Sequence, residues 1–264
     1  MRDNPTIKTV NVVLPKNIKK LEVHTFADLH IGDAGCDMDG IKRHIEYVKN
    51  AENAYAILNG DLINNATKTS VSDCYAEELS PMEQIELCFN LFAPIKDKIL
   101  CITAGNHENR TYQKEGIDLS YLLARQLGIQ ERFSREGVVL FLRFGQMNGD
   151  NHYRRVRYTF YVTHGTGGGR KEGAKAIRLA DMASIIDTDI YIHSHTHLPM
   201  IMKQSFFRID INNSTVSNAT KLFVNTSARL NYGGYGQRYE FKPSSKDNPI
   251  IYLSGVKKEF SAML

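Results

Sequence analysis

Short apolar runs followed by polar residues recur through the first half of the chain. Three β-rich runs, at residues 21–27, 54–58 and 99–104, predict strands. After each run come loop-type residues and then apolar residues at three-to-four spacing, which predict helices near residues 39–48, 81–92 and 119–127, with Asp39 as the candidate cap of the first. This alternation predicts a parallel or mixed sheet covered by helices, with functional loops at the carboxyl ends of the strands.

The second half of the chain is richer in predicted strands. These lie at residues 138–144, 156–162, 190–193, 222–225 and 250–253. One helix is predicted near residues 174–186, so a second sheet is expected. Because no Pro/Ser-rich linker or shift in composition divides the chain, we expect one domain over residues 1–264.

Composition narrows the protein class only modestly. The 264 residues are 42% hydrophobic and 23% charged, which is globular and excludes a disordered or fibrous chain. The net charge of +4 is too small to indicate nucleic-acid binding by itself. With no long apolar run and no secretory-type start, we expect a cytoplasmic protein that does not contact membranes.

The cysteines form no recognisable metal or disulfide motif. They lie far apart and include no Cys-x-x-Cys pair, so free and mostly buried thiols are expected. The four positions are Cys36, Cys74, Cys88 and Cys101.

Polar clusters with metal-ligand chemistry stand where the predicted strands end. Five such clusters occur: Asp28-Leu-His30, Gly60-Asp61, Gly105-Asn106-His107-Glu108, His164-Gly165 and His193-Ser-His195-Thr-His197. A single cluster is compatible with ordinary surface or core residues, but five strand ends of one α/β sheet converge on one edge. Oxygen and nitrogen donors without thiolates suit Mn, Fe, Zn or Ni.

The spacing within two clusters predicts a shared direction of their side chains. If the strands continue, residues two apart point the same way, as do Asp28 with His30 and His195 with His197. His193 lies one step further back and is expected to support the ligands from a buried position. Spacing alone leaves open a chance patch of histidines.

Together these clusters resemble the motifs of the calcineurin-like metallophosphoesterases. The family pattern runs D-x-H, G-D-x-x-D/N, G-N-H-D/E, H and G-H-x-H. Here it reads Asp28-Leu-His30, Gly60-Asp61-Leu-Ile-Asn64, Gly105-Asn106-His107-Glu108, His164 and Ser194-His195-Thr-His197. The resemblance implies an α/β fold of two mostly mixed β-sheets, packed as a sandwich with flanking helices. The metal site would lie at the carboxyl ends of the strands.

The resemblance also implies a site with two divalent metal ions, of which Mn²⁺ is the first expectation and Fe, Zn or Ni are open. Around the first ion it places Asp28, His30, Asp61 and His197. Around the second it places Asp61, Asn106, His164 and His195. Asp61 would bridge the ions and so help position an attacking metal-bridging hydroxide. His107 would be the catalytic histidine at the leaving oxygen, with Glu108 supporting the ligands from behind.

Two residues depart from the family pattern. Ser194 replaces the usual glycine, and Asn64 replaces the commoner carboxylate, where we expect altered hydrogen bonding without loss of a ligand. The Asp-Arg-Gly of the protein Ser/Thr phosphatases is also missing, since Asn64-Asn65-Ala66 stands there. A protein phosphatase is therefore disfavoured.

Basic residues near glycines and tyrosines are the candidates for substrate binding. Arg170 and Lys171 follow the glycine run after His164, which either approaches phosphate or is a flexible connector. Arg110 is a further candidate phosphate contact. Tyrosines and arginines interleave at residues 153–158 and 231–239, a mixture that can stack bases but also suits an edge strand and a turn-rich loop.

These features support three hypotheses of function. The leading one is a dinuclear metal-dependent phosphodiesterase acting on DNA, RNA or nucleotides. The alternative enzyme is a phosphomonoesterase, including a protein phosphatase. The third is a non-catalytic sensor that binds metal and a phosphorylated ligand. Sequence leaves the oligomeric state open.

Overall fold

Two six-stranded mixed sheets pack face to face, and helices cover their outer faces. A computed structural model describes residues 7–15, 17–70, 72–144 and 156–264, without the side chain of Tyr235. Its strands are β1 (Lys8–Leu14), β2 (Lys20–Phe26), β3 (Ala54–Asn59), β4 (Ile99–Thr103), β5 (Phe133–Ser134), β6 (Val138–Phe144), β7 (Arg157–Val162), β8 (Ile190–His193), β9 (Met200–Asp210), β10 (Thr215–Asn225), β11 (Ile250–Ser254) and β12 (Phe260–Met263). Its α-helices are α1 (Met38–Asn50), α2 (Pro81–Phe92), α3 (Asn106–Glu115), α4 (Leu119–Gln126), α5 (Glu172–Ile185) and α6 (Gly234–Arg238). The predicted α/β sandwich is confirmed.

The strand order brings the ends of the central strands together. Sheet I has the order β1-β6-β7-β8-β10-β9, and sheet II has the order β12-β11-β2-β3-β4-β5. In sheet II, β2, β3, β4 and β5 run parallel. In sheet I, β7 runs parallel to β8, and β8 to β10. The loops that follow these strands therefore meet at one edge of the sandwich.

Three apolar cores hold the layers together. The central core lies between the sheets and joins buried residues of β6, β7, β8 and β10 to those of β2, β3, β4 and β11. A second core packs sheet II against α1, α2 and α4, and a third packs sheet I against α5. Helices α1, α2, α4 and α5 therefore pack on the outer faces of the two sheets, and not over the carboxyl ends of the strands.

Helix starts follow local capping chemistry. Ser80 and Glu83 form a reciprocal capping box at the start of α2, with Pro81 at its first position. For α1 the expected cap at Asp39 is wrong: Asp37 is the cap, and its carboxylate accepts from Gly40 N at 3.2 Å. Asp39 lies instead in the first turn.

The sequence pattern missed helices α3 and α6 and strands β1, β5, β9 and β12, and it predicted β10 too short. Helix α3 begins at Asn106, where a loop was predicted, because its ten residues are mostly polar and show no apolar stripe. Strand β10 begins at Thr215, well before the predicted residue 222, and pairs along its whole length with β9. At the far end of this hairpin, Phe207 is 83% exposed.

The cysteines are free thiols, as predicted, with Cys88 and Cys101 buried and Cys36 and Cys74 partly buried. Burial raises the pKa of Cys101 to about 12, so its thiol stays protonated. No helix in the described ranges has the length and apolar character needed to cross a bilayer.

A chain of polar side chains runs between β2 and α1. The Arg229 guanidinium can only donate, so His44 Nδ1, at 3.2 Å, accepts. His44 then carries its proton on Nε2 and donates to His24 Nδ1 at 2.9 Å. His24 Nε2 in turn donates to Glu22 Oε2 at 3.3 Å. The arginine at one end and the carboxylate at the other therefore fix which ring nitrogen of each imidazole carries the proton, and burial lowers the pKa of both histidines.

We expect this chain to make stability depend on pH through His44. Burial, with smaller contributions from His24 and Arg229, lowers the pKa of His44 to about 3. Below about pH 6.5, His44 is protonated in the unfolded chain but stays neutral in the folded chain. The unfolding free energy therefore decreases as the pH is lowered, by up to about 1.4 kcal/mol per pH unit. The His44→Gln variant keeps a donor for His24 and does not titrate. Between pH 6.5 and 5, this variant should lose about 1 to 2 kcal/mol less unfolding free energy than the wild-type protein.

Urea unfolding at pH 7, 6 and 5 with chelator present measures this difference. Equal pH dependence of the two proteins would contradict the assignment of His44.

Candidate metal centre

Seven acidic and histidine side chains meet at the edge where the central strands end. Sheet II supplies the loop after β2, which carries Asp28 and His30, the loop after β3, which carries Asp61, and the first turn of α3, which carries His107. Sheet I supplies the loop after β7, which carries His164, and the loop after β8, which carries His195 and His197. Both sheets therefore build one site.

Three overlapping groups of these residues have potential ligand atoms within 4.8 Å of one another. The Asp28 group contains Asp28, His30 and His197. The His164 group contains Asp61, His164 and His195. The His107 group contains His30, Asp61 and His107 and so links the other two. Asp61 belongs to two groups, as a bridging ligand would.

The backbone at the ligands is left-handed, and this corrects the reasoning from strand period. Strand β2 ends at Phe26 and β8 at His193, so the paired residues lie beyond the strands. Five of the seven residues have positive φ: Asp28 (50°), His30 (49°), Asp61 (49°), His195 (65°) and His197 (56°). This conformation costs about 1–2 kcal/mol per non-glycine residue and is concentrated at functional sites. Consecutive tight turns, rather than an extended strand, direct these side chains toward one another.

Charges alternate closely across the site. His197 Nε2 lies 3.2 Å from Asp28 Oδ1, and His164 Nε2 lies 3.2 Å from Asp61 Oδ2. His30 Nε2 lies 3.4 Å from His197 Nε2. Carboxylates and imidazoles thus lie side by side in a largely buried cluster.

Burial and these neighbours shift the pKa values in opposite directions. Burial raises the pKa of Asp28, but the nearby charges of His197 and His164 outweigh burial and leave the pKa below its usual value. Burial likewise raises the pKa of Asp61, and the histidines led by His164 hold it well below normal. Burial lowers the pKa of His164, but Asp61 raises it overall to about 10. Burial lowers the pKa of His30 well below 6.5. Both carboxylates are therefore ionised at neutral pH, as metal ligation requires.

Unpartnered buried atoms concentrate in this cluster. In the described residues, seven buried side-chain nitrogen or oxygen atoms lack a hydrogen-bond partner. Four belong to the site: Asp28 Oδ1, His30 Nδ1, His164 Nε2 and His195 Nδ1. Buried polar atoms are normally paired, and unpaired ones in a carboxylate–imidazole cluster fit divalent cations.

Glu108 organises the loops under the site. Its carboxylate oxygens accept from the backbone amides of Leu62 at 2.7 Å, Gly105 at 2.8 Å, Asp61 at 3.0 Å and Ile63 at 3.2 Å. Burial and the nearby Asp61 carboxylate raise the pKa of Glu108 to about 7, while the amide hydrogen bonds act in the opposite direction. One side chain thus fixes the loops after β3 and β4 to each other.

His107 is fixed from both ring nitrogens. Its Nδ1 donates to the Asn64 carbonyl at 2.7 Å, and its Nε2 accepts from Arg110 Nη2 at 3.0 Å. Its backbone N–H donates to Asp61 Oδ1 at 2.8 Å. Arg110, proposed from sequence as a phosphate contact, therefore lies against the candidate catalytic histidine. Asn106 is exposed at the first position of α3, next to His107.

His193 lies behind the ligands, where the sequence places it. It is buried, and its Nδ1 pairs with Asn225 Oδ1 at 2.9 Å. A Cβ at Gly165 would lie 2.0 Å from His193 Nε2, and Gly165 has φ +86°. The first glycine after His164 is thus required by packing against His193, rather than by substrate.

Buried Asn and Ser residues behind the metal ligands were missed by the sequence reasoning. Asn59 Nδ2 donates to Ser194 Oγ at 2.7 Å, its carbonyl accepts from His164 Nδ1 at 2.7 Å, and Thr103 donates to its Oδ1. Ser194, at the family's glycine position, also accepts from Thr226 Oγ1 at 2.8 Å. The sequence signal that could have indicated this network is Asn59, a polar residue at the end of the otherwise apolar strand β3.

The other departure from the family pattern, Asn64, makes polar contacts of its own. Its side-chain amide donates to Asp33 at 3.3 Å and to Glu77. These contacts agree with the altered hydrogen bonding expected there.

The basic residues of the glycine loop lie at the surface near the site. Arg170 and Lys171 are exposed, and the Arg170 guanidinium lies 5.3 Å from the centroid of the Phe241 ring. Lys175 reaches further in, because its Nζ donates to the Thr196 carbonyl at 2.7 Å, between the ligands His195 and His197.

Of the two tyrosine–arginine segments, residues 153–155 lie outside the described residues. Arg157 and Tyr158 belong to β7, and Tyr158 is buried. Residues 231–239 form a loop and the short helix α6.

The sequence model of the calcineurin-like phosphoesterase family matches residues 26–199 of this chain. The match covers well over half of the chain and spans all seven clustered residues. The chain belongs to the calcineurin-like phosphoesterase family. As a member it is a metal-dependent phosphoesterase, and the resemblance seen in the sequence motifs is confirmed. A comparison with curated protein sequences finds no match.

Several solved structures are similar to this chain over most of its length at low sequence identity. A predicted phosphoesterase of Streptococcus pneumoniae TIGR4 is 12% identical, with 92% of this chain and 89% of that chain covered and a TM-score of 0.39. A metallophosphoesterase of Sphaerobacter thermophilus is 14% identical, with 93% and 88% covered and a TM-score of 0.41. The nuclease MPE of Pseudomonas putida is 13% identical, with 91% and 87% covered and a TM-score of 0.37. Similarity at this level carries no information about substrate.

We expect Glu108→Gln to loosen the site and destabilise the fold. An amide NH₂ cannot accept from the backbone N–H groups that now face one carboxylate oxygen, so about 3 kcal/mol of unfolding free energy should be lost. Urea unfolding in chelator measures this loss independently of metal. Glu86→Gln, at an exposed position on α2, makes the same change without such contacts and should lie within about 0.5 kcal/mol of wild type. Equal stability of the two variants would rule out the bracing role of Glu108.

Proposed function

We propose that this phosphoesterase is a dinuclear phosphodiesterase that acts on nucleic acid or nucleotides, with Mn²⁺ as the first metal to test. The observation that carries the proposal is the pair of ligand groups joined through Asp61 and His30, with unpartnered buried ligand atoms in both groups. Because both sheets supply ligands to one centre, we also propose that residues 1–264 act as one domain.

The proposed ligand sets extend two of these groups by one residue each. One cation would be held by Asp28, His30, Asp61 and His197, which are the Asp28 group with Asp61 added. The other would be held by Asp61, Asn106, His164 and His195, which are the His164 group with Asn106 added. Bound divalent cations would supply Lewis acidity toward phosphate oxygens and lower the pKa of coordinated water.

The protein's own residues would position the substrate and the transferred proton. His107 Nε2 lies 3.8 Å from Asp61 Oδ2, close to where a leaving oxygen would be expelled. This atom now accepts from Arg110 and carries no proton, so it would first take one up from water, once Arg110 has turned to the substrate, and then pass it to that oxygen. Arg110 beside it would hold a phosphate oxygen in exchange for its present contact with His107. Arg170 and Lys171, exposed after the glycine loop, would attract the anionic substrate from the other side.

Hydrolysis of simple esters tests this function directly. Protein stripped with chelator and restored with Mn²⁺ should cleave bis-p-nitrophenyl phosphate faster than p-nitrophenyl phosphate. His107→Ala should lower the diesterase kcat by about 100-fold or more while metal content is unchanged, because it removes a proton donor but no ligand. Cleavage restricted to the monoester would instead identify a phosphomonoesterase. Bound metal with no turnover of either ester would favour the sensor.

Asp61→Asn should reduce the metal content more than substitution of any residue that binds only one of the two ions. It removes the negative charge that both cations share, so occupancy should fall from about two ions per chain to one or fewer. Metal analysis after gel filtration measures the stoichiometry. Asp97→Asn, an exposed residue at the opposite edge of sheet II, makes the same change of charge and should keep both ions. Two full equivalents in the Asp61 variant would disprove bridging.

A further inference from the structure

Two loops far apart in sequence meet beside the metal centre and enclose a shallow cavity of about 270 Å³. One is the segment between β3 and α2, and the other ends in helix α6. The lining residues are Thr67, Lys68, Ser70, Ser72, Asp73, Cys74, Tyr75 and Arg238. Neither the family motifs nor the proposed ligand sets use these residues.

The structure ties both walls of this cavity to the catalytic residues. On one side, Lys114 Nζ donates to Thr67 Oγ1 at 3.2 Å, and Lys114 lies two turns after His107 on α3. Seven helical residues correspond to about 10 Å along the helix axis. On the other side, the backbone leading to α6 is bonded to the Asp28 loop, since Arg229 N donates to the Asp28 carbonyl at 2.9 Å. Lys114, which contacts the Thr67 wall of the cavity, therefore lies about 10 Å along the axis of α3 from His107.

The chemistry of the lining favours an anion joined to a flat ring. Lys68 and Arg238 are exposed and form no ion pair within the described part of the chain. Tyr75 is 85% exposed, so its ring face is open. Asp73 is the acidic group of the lining, and its carboxylate accepts from Tyr75 N at 3.0 Å. Lys114 adds a third cation beside Thr67. Positive charge exceeds negative charge, and an aromatic face lies within the same cavity.

We propose that this cavity binds the nucleotide next to the scissile phosphate of a single-stranded nucleic acid. Lys68 and Arg238 contact its phosphate, and its base stacks on Tyr75. Cations along a backbone with interleaved aromatic rings are the general means by which proteins bind single strands. The proposal rests on the proposed diesterase function and specifies its substrate as a polynucleotide.

Size and distance favour this ligand over a free nucleotide. The cavity lies just below the usual volume range of small-molecule sites, so it suits one unit of a longer ligand. Lys114, about 10 Å along α3 from His107, is beyond the reach of a single phosphate at the metal centre but within the span of adjacent nucleotides. A phosphopeptide would use the cations and leave the Tyr75 ring without a partner.

Binding without hydrolysis tests the site first. Fluorescein-labelled ten-nucleotide single strands of DNA and RNA are titrated in chelator and followed by fluorescence anisotropy. In the Lys68→Ala/Arg238→Ala variant, Kd should rise about tenfold or more, and the slope of log K against log salt should fall by about 1.4. Tyr75→Ala should raise Kd about tenfold with an unchanged salt slope, and Tyr75→Phe should stay within about twofold of wild type.

A matched control separates this site from a general effect of charge. Lys49 and Lys96 are exposed near the amino ends of β3 and β4, on the opposite edge from the metal centre. Their double alanine variant loses the same charge and should change Kd by less than about twofold. Equal weakening by the two double variants would overturn the proposal. So would Lys68/Arg238-dependent binding of a phosphoserine peptide with no effect on either oligonucleotide.

Kinetics separate failure of the subsite from failure of the proposed function. With Mn²⁺, the Lys68→Ala/Arg238→Ala variant should keep wild-type kcat/KM for bis-p-nitrophenyl phosphate and lose about tenfold for the oligonucleotide that binds more tightly. Equal losses on both substrates would show a structural role and refute the subsite. If wild type cleaves neither substrate, the diesterase function fails, and the anisotropy results decide the cavity alone.

Discussion

The carboxylate of Glu108 accepts four backbone amides, and the geometry of the metal centre depends on this contact. The donors belong to the loops after β3 and β4, which would otherwise leave buried N–H groups unpaired. The same hydrogen bonds fix the backbone that carries Asp61 and position the first turn of α3 with His107. A single buried carboxyl group therefore joins the proposed metal ligand to the proposed proton donor. One side chain suffices because each of its two oxygens accepts from two of the four amides.

Convergence of the remaining ligands follows from the two-sheet architecture. Parallel strands end at the same edge, so Asp28 and Asp61 come from one sheet, whereas His164 and His195 come from the other. The apolar core between the sheets holds these edges at a fixed separation. Precision within the site then comes from buried polar pairs such as Asn59 with Ser194 and His193 with Asn225. Rigid layers bring the ligands near one another, and hydrogen bonds from behind orient them.

Local patterns could predict the layers and the residues of the site but not its conformation. Period and polarity were enough for β2, β3 and β4, because buried strands are short apolar runs. They failed for α3, whose polar sequence is stabilised by contacts at the site that local periodicity does not encode. The spacing of Asp28 and His30 correctly predicted that they lie together, but the assumed extended strand was wrong. Their positive φ angles depend on long-range contacts that hold each turn, and these contacts are not visible in local spacing. The Lys68–Arg238 cavity was equally hidden, because its walls are about 170 residues apart in the chain.

The positive φ angles of the ligands also bear on how such a protein evolves. Glycine adopts a left-handed conformation without backbone strain, whereas the Asp and His residues at these five positions are strained by it. Replacing a proposed ligand such as His30 or His197 by glycine would therefore remove a metal contact and a strained conformation in the same step. Selection for stability and selection for catalysis act in opposite directions at these positions. Catalysis can thus be lost while the sandwich persists, so the fold outlasts its chemistry and is free to serve as a binding scaffold.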